Sequence, residues 1–164
     1  MLIGWLIQIH PHVCHNNHTL YLAILILDKY CACRFVYRNR YQLLGLAALF
    51  VAAKYEEVKT PKLKKYSDLC SGDITMEEIL DMEGHILIAL NFKIKAMTVC
   101  WHLEEYIQFV GFTKENNELC HYLLDLSLIE FDFCFTRPTI LCWAIVLFVT
   151  KFRNLKNICE VEIS

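Results

Sequence analysis

The sequence predicts an all-α fold that is organised around one buried central helix. The eleven residues 43–53 carry no polar side chain, and five of them are Gly or Ala. A helix that is apolar on every side is normally enclosed by other helices, and small residues let neighbouring backbones approach closely. The apolar run ends abruptly at the charged segment 54–57, so we expect charged groups where this helix reaches the surface.

Two helices are predicted before the central helix. The first covers residues 2–9 and ends near Pro11, because proline lacks the N–H group that continues a helix. Asn16 and Asn17 are favoured N-cap residues, so the second helix is expected to begin there and to extend to about Cys33.

The central helix is predicted over residues 42–57, and two shorter helices follow it. A fourth helix over residues 61–69 opens at a proline, which is favoured at a first helical position. Thr75 and Glu78 have the spacing of a capping box, in which each side chain binds the backbone N–H of the other residue. This spacing predicts a fifth helix that extends to about Leu90.

Three further helices are predicted near residues 98–110, 115–131 and 138–152. This later part echoes the earlier one, since LFVTKF at 147–152 resembles LFVAAKY at 49–55 and each segment closes an apolar helix with a lysine. The pattern indicates two repeats of one helical unit, the second reduced to about three helices.

Composition argues against several classes of protein. The chain has 164 residues, of which 56% are hydrophobic, and its formal net charge is −2, so it has no basic footprint for nucleic acid. The longest apolar runs, at 20–27, 43–53 and 140–149, are shorter than the roughly 18 residues that span a bilayer. A small membrane-embedded helical protein remains an alternative that only the high hydrophobic content favours. The first residues show no basic stretch and no cleavage site, so a signal peptide is not expected.

Nine cysteines are present, an odd number with no C-x-x-C pair, and several lie in apolar runs. We interpret them as buried free thiols in a reducing compartment. The residues His10, His12, Cys14, His15 and His18 could offer zinc ligands, but their spacing is not that of a zinc finger. We therefore expect no metal and no other cofactor.

Glu83 is a candidate functional residue because it lies on the apolar stripe of the fifth helix. It follows Ile79 by four residues and precedes Leu87 by four, and such residues share one helix face. A buried carboxylate is costly unless it is paired, and Lys54 at the end of the central helix is the expected partner. Two interpretations remain open: an internal ion pair that holds two helices in register, or a pair that a partner protein completes.

These segments resemble the cyclin family, and in particular its mitotic A and B types. The matching segments are WLIQIH (5–10), TLYLAILILDKY (19–30), YQLLGLAALFVAAKYEE (41–57), ILDMEGHILIALNF (79–92), LSLIEFDF (126–133) and RPTILCWAIVLFVTKF (137–152). The resemblance implies an N-terminal cyclin box, a five-helix bundle, over residues 1–94. It also implies a partial C-terminal cyclin fold over residues 95–164.

The resemblance further implies a regulatory subunit that binds and activates a cyclin-dependent protein kinase in cell-cycle control. Such a subunit performs no chemistry, so no catalytic residue is expected in this chain. Lys54 and Glu83 match residues that reach main-chain groups of the kinase near its αC helix. The positions that match residues packing on that helix are Tyr55, Leu87, Phe92 and Ile94.

The resemblance also implies a shallow groove for substrate or inhibitor peptides that carry basic and leucine residues. The matching positions are Met1, Leu2, Trp5, Gln8, Gln42 and Leu69. Gln8 stands where a carboxylate is usual, which should weaken selection for the basic residue. The alternative is that Leu2, Trp5 and Ile9 form an ordinary apolar stripe of the first helix.

A protein of this kind is expected in the nucleus and the cytoplasm, without nucleic acid or membrane as a partner. The alternative function is that of a cyclin-fold scaffold or transcription-related interaction module that activates no kinase. No nucleophile–base pair, phosphate-binding loop or metal motif supports an enzyme.

Overall fold

The computed structural model describes residues 2–14, 16–70 and 73–153, and it divides the chain into two compact units, Met1–Ala96 and Met97–Ser164. Within the described ranges the regular structure consists of eight α-helices and two short 3-10 helices, with no strand. The predicted all-α fold is therefore confirmed. No helix in the described part is long and apolar enough to cross a membrane.

The first unit is a bundle of five α-helices around a central helix. Its helices are α1 (Leu2–Val13), α2 (Asn17–Cys33), α3 (Tyr41–Glu56), α4 (Leu63–Asp68) and α5 (Met76–Ala89), with a 3-10 helix at Arg38–Arg40 before α3. The other four helices all pack against α3. All of residues 43–53 are buried, which confirms the central helix that the apolar run predicts.

Several helix bounds differ from the sequence-based expectations, and the end of α1 and the start of α4 have a clear physical reason. Helix α1 continues past Pro11 to Val13, because the proline lies in the last turn, and the Cys14 N–H still donates to the carbonyl of His10 at 2.8 Å. Helix α4 begins at Leu63, because Lys62 has extended backbone angles and leaves the preceding proline outside the helix.

The capping box at the start of α5 is confirmed. The Glu78 N–H donates to the Thr75 hydroxyl at 3.2 Å, and the Thr75 N–H donates to the Glu78 carboxylate at 2.9 Å. These hydrogen bonds, first of all the one from the Thr75 backbone, hold the pKa of Glu78 below its usual value. The N-terminal end of α5 is thereby fixed.

The Glu57 side chain links the end of α3 to the start of α2. Its Oε1 accepts hydrogen bonds from the Asn16 N–H at 3.0 Å and from the Thr19 hydroxyl at 2.8 Å. The first turn of a helix has N–H groups without an intrahelical partner and a partial positive charge, so it favours a carboxylate. Glu57 therefore anchors the C-terminal end of the central helix.

A buried thiol lies between α1 and α4. The Sγ atom of Cys14 is 3.7 Å from the Tyr66 hydroxyl, and both side chains are buried. Burial raises the pKa of Cys14 to about 11 and also raises the pKa of Tyr66. Both groups are therefore neutral at physiological pH, as expected of structural residues.

The second unit repeats the first three helices of the first unit. Its helices are α6 (Val99–Val110), α7 (Lys114–Ile129) and α8 (Pro138–Phe152), with a 3-10 helix at Phe131–Phe135 after α7. A shift of 97 positions places both ends of α1 on the ends of α6, and the first residues of α2 and α3 on those of α7 and α8. Helix α8 packs on both α6 and α7. The predicted partial repeat of three helices is therefore confirmed.

Glu57→Ala should destabilise the first unit, because it removes both hydrogen bonds at the start of α2. We expect the free energy of unfolding to fall by about 1–3 kcal/mol in chemical denaturation followed by circular dichroism. Glu56→Ala is the matched control, since no hydrogen bond of its side chain occurs among the described residues, and its effect should stay below about 0.5 kcal/mol. Equal effects of the two variants would contradict the anchoring role of Glu57.

Thiol alkylation should separate buried from exposed cysteines. Burial raises the pKa of Cys14, Cys120 and Cys142 to about 11, so only about one thiol in a thousand is ionised at pH 8. We expect iodoacetamide to label the exposed Cys33 in the native chain and the other three only after denaturation, as read by peptide mass spectrometry. Rapid native labelling of Cys142 would show that the second unit does not pack as described.

Candidate functional site

A salt bridge joins the end of α3 to the middle of α5. The Lys54 ammonium lies 2.7 Å from Oε1 and 2.8 Å from Oε2 of Glu83, so it donates to both carboxylate oxygens. Helices α3 and α5 pack against each other, which brings together two residues that are 29 positions apart in sequence. The pairing that the sequence predicts is confirmed.

The two partners of this salt bridge differ in exposure. The Glu83 side chain is 11% exposed and the Lys54 side chain is 43% exposed. Glu83 lies among buried apolar residues of α5, including Ile79, Met82 and Ile86. A carboxylate there requires a cation to offset its loss of solvent. The pair thus has an inner anion and a cation that solvent, or another protein, can reach.

The ring of Phe50 contacts the ammonium group of Lys54, and the sequence did not predict this contact. The Lys54 Nζ atom lies 4.3 Å from the centroid of the Phe50 ring, within the range of a cation–π interaction. Phe50 precedes Lys54 by four residues, so both side chains lie on one face of α3. The spacing of four residues could have predicted this contact from the sequence.

The Lys54 ammonium retains one N–H donor. An ammonium group has three N–H donors, and two of them bind the two carboxylate oxygens of Glu83. Within the part of the chain that the structure describes, no other group accepts a hydrogen bond from Lys54. The neighbouring Tyr55 is exposed as well. The end of α3 therefore offers a hydrogen-bond donor beside an aromatic ring.

The turn after α5 continues this surface. Leu87 lies one helical turn after Glu83 and is half-buried, and its carbonyl accepts a hydrogen bond from the Phe92 N–H at 2.9 Å. The Ile94 N–H in turn donates to the Phe92 carbonyl at 3.1 Å. The turn therefore folds back onto the last residues of α5.

Phe92 has an unusual backbone conformation. Its φ is 57°, and that of the preceding Asn91 is 50°, although neither residue is glycine. A left-handed conformation is unfavourable for a bulky residue, and such strain concentrates at functional sites. The Phe92 side chain is nevertheless 69% exposed, so burial does not account for its position.

Two of the predicted groove residues, Leu2 and Trp5, lie where α1 packs on α3 at Gly45. A Cβ atom at Gly45 would lie 3.2 Å from Leu2 Cδ1 and 3.6 Å from Trp5 Cζ3. The absence of a side chain therefore lets these two residues rest on the α3 backbone. Both are half-buried, as an apolar anchor for a peptide would be.

The other predicted groove residues are less closely connected. Gln8 and Gln42 are exposed, and Gln42 lies one turn before Gly45 on α3. Leu69 follows α4 as its C-cap residue and is half-buried. Met1 lies outside the described residues.

Comparison with known proteins identifies the family. The model of the cyclin N-terminal domain matches residues 1–95. A putative cyclin-B3-1 of Arabidopsis thaliana is 33% identical over 142 residues, which are 87% of this chain and 36% of that protein. A G2/mitotic-specific cyclin-B2 of Oryzias luzonensis is 32% identical over 139 residues, covering 85% of this chain and 36% of the relative. The chain thus spans about a third of the length of these curated relatives.

A solved structure shares the fold. The X-ray structure of a viral cyclin from herpesvirus saimiri superposes with a TM-score of 0.83, covering 98% of this chain and 71% of that one, at 19% sequence identity. This likeness confirms the helical architecture of the chain. The family model matches more than half of the sequence. The chain belongs to the cyclin family.

Proposed function

We propose that this chain is a regulatory subunit in cell-cycle control that binds and activates a cyclin-dependent protein kinase. The observation that carries the proposal is the salt bridge between Lys54 and Glu83, with its buried anion and reachable ammonium. The names of the relatives, which include G2/mitotic-specific cyclins, support the same role. In this role the catalytic groups belong to the kinase.

The mechanism rests on a shift between two conformations of the kinase. Protein kinases are active when a strand lysine pairs with a glutamate of the αC helix. A surface that binds this active conformation more tightly raises its population by the ratio of the two affinities. A hundredfold preference corresponds to about 2.7 kcal/mol.

Each residue of the surface has a role that follows from its chemistry. The remaining N–H donor of Lys54 binds a kinase main-chain carbonyl, while the Glu83 carboxylate accepts from a main-chain N–H. The exposed rings of Tyr55 and Phe92 provide apolar area. The half-buried apolar residues beside them are Leu87 and Ile94. Because the salt bridge is formed within the chain, the surface is ordered before binding, which lowers the entropic cost of association.

The groove along α1 and α3 is proposed to capture peptides with basic and leucine residues. Leu2 and Trp5, held on Gly45, form the apolar anchor, and the exposed amides of Gln8 and Gln42 bind the peptide backbone. Met1 and Leu69 belong to this proposal on the resemblance alone. Residence in the nucleus and the cytoplasm is part of the same proposal.

Lys54→Ala and Glu83→Ala should each weaken kinase binding about tenfold or more, because each removes a charged hydrogen bond at the interface. Affinity is measured by calorimetry and activation by phosphorylation of histone. Lys114→Ala is the matched control, since it breaks the exposed pair with Glu118 at 3.9 Å and should change neither quantity. Normal affinity without activation in the parent chain would favour a scaffold instead of an activator.

The double replacement Lys54→Met with Glu83→Met tests the alternative of an internal ion pair. Lys54→Ala alone leaves a buried carboxylate unpaired, at a cost of about 1–3 kcal/mol in stability. Removing both charges avoids that cost, so the double variant should keep the fold and still lose kinase binding. A double variant that binds the kinase as tightly as the parent would show that the pair is only structural.

Two variants of the groove should act in opposite directions. Trp5→Ala removes the apolar anchor and should weaken binding of a peptide with basic and leucine residues about tenfold. Gln8→Glu adds an exposed carboxylate and should strengthen it about threefold through the peptide's basic residue. Fluorescence anisotropy measures both effects, and a peptide with its basic residue replaced by alanine should show no gain with Gln8→Glu. A gain with that peptide would contradict a contact between residue 8 and the peptide's basic residue.

A further inference from the structure

A threonine–proline pair lies in the connection between α3 and α4. Thr60 and Pro61 follow the end of α3 and precede Leu63, the first residue of α4. The sequence has three prolines, and the other two follow His10 and Arg137, so Thr60 is the only serine or threonine in it that precedes a proline. A modification that requires this pair therefore has one candidate position.

The segment around Thr60 is exposed. The Val58 side chain is 100% exposed although it is apolar, and Thr60 is exposed as well. Neither Thr60 nor Pro61 forms a hydrogen bond with another residue in the part of the chain that the structure describes. The Thr60 hydroxyl is therefore accessible to an enzyme.

The backbone of this segment is extended. Glu57 has a φ of −87° and a ψ of 135°, and Lys62 has a φ of −64° and a ψ of 137°. Between them, the proline that follows Thr60 favours extended angles for that residue too. An enzyme can bind such a segment without unfolding a helix, and a segment that is extended beforehand loses less conformational entropy on binding.

Other hydroxyl groups of the first unit are less available. The Thr75 hydroxyl accepts a hydrogen bond from the Glu78 N–H at 3.2 Å. The Ser67 hydroxyl donates to a backbone carbonyl of α4 at 3.1 Å, and Thr19 is buried. The exposed and unpaired hydroxyl of Thr60 thus differs from these three.

Pro61 indicates the class of enzyme. Proline has no N–H group, so it leaves no unpaired donor in a cleft that lacks an acceptor at that position. Any other residue brings an N–H that such a cleft leaves unpaired. A preference of this kind defines the proline-directed protein kinases.

The segment also has the charge that a phosphate group requires. Four lysines and no acidic residue occur within residues 58–67, namely Lys59, Lys62, Lys64 and Lys65. All four are exposed, and none forms an ion pair with another described residue. The preceding carboxylate, Glu57, is already bound to the start of α2. A phosphate on Thr60, with a charge of about −1.5 to −2 at pH 7, is therefore close in sequence to several unpaired cations.

We propose that Thr60 is a phosphorylation site of a proline-directed protein kinase and that the neighbouring lysines bind the phosphate. The Thr60 hydroxyl oxygen attacks the γ-phosphorus of ATP, and the bond from that phosphorus to the β,γ-bridging oxygen breaks. ADP leaves, and a catalytic aspartate of the kinase takes the hydroxyl proton. The proposal does not depend on whether this chain activates a kinase.

The first test uses the full chain, Mg²⁺ with ATP, and a proline-directed kinase that needs no cyclin subunit. We expect peptide mass spectrometry to find one phosphate, on Thr60, added at a rate within about threefold of that of a free peptide with residues 55–66. Pro61→Ala should lower this rate about tenfold or more while circular dichroism stays unchanged, because it restores an N–H. Ser67→Ala is the matched control and should keep the parent rate.

Three results of this test would overturn the proposed site. They are a phosphate on another residue, a rate in the native chain about tenfold or more below that of the peptide, and an unchanged rate in Pro61→Ala. The peptide comparison separates a site that the fold covers from one that the kinase does not accept.

The second test follows the phosphate by ³¹P NMR in a chain with phosphothreonine incorporated at position 60 during translation. Nearby ammonium groups favour the dianion, so the second pKa of the phosphate should lie below its usual value of about 6. Lys62→Gln with Lys64→Gln should raise this pKa by about 0.3–0.5. The matched control, Lys93→Gln with Lys95→Gln in the segment after α5, should leave it unchanged. Equal pKa values in the two double variants would show that the lysines do not bind the phosphate.

Discussion

The buried carboxylate of Glu83 constrains the arrangement of the first unit. An anion that is 11% exposed among apolar side chains is tolerated only where a cation reaches it, so α5 must pack with Glu83 opposite Lys54. The ring of Phe50 also contacts the ammonium, whose nitrogen lies 4.3 Å from the ring centroid. One electrostatic requirement therefore sets the register of two helices and the position of the exposed donor.

The end of α3 is held at a second point, at the start of α2. Glu57 binds the first turn of α2 only three residues after Lys54. Two carboxylates thus hold the end of the central helix. Glu83 of α5 pairs with Lys54, and Glu57, which directly follows the helix, binds the start of α2. This double attachment explains how a short exposed segment, Lys54 with Tyr55, is kept in a defined orientation at the end of the helix.

Sequence alone predicted most of the fold and the central pair of the site. Residues 43–53 and the capping box at Thr75 are local patterns whose consequence is nearly independent of context, and the charge on the apolar stripe of α5 required a partner. Two features were not predicted, because neither follows from a local pattern. They are the extension of α1 past Pro11 and the left-handed backbone of Phe92 in the turn after α5. Glu57 was missed because its hydrogen bonds join segments about 40 residues apart.

The backbone of Gly45 lies against Leu2 and Trp5 of α1, at the opposite end of α3 from Lys54. One added methyl group there would approach Leu2 to 3.2 Å, a separation that a neighbour relieves by moving a few tenths of an ångström. The packing of α1 on α3 is therefore sensitive to a single added atom, and a substitution at Gly45 would alter the proposed peptide groove while it leaves the salt bridge between Lys54 and Glu83 in place.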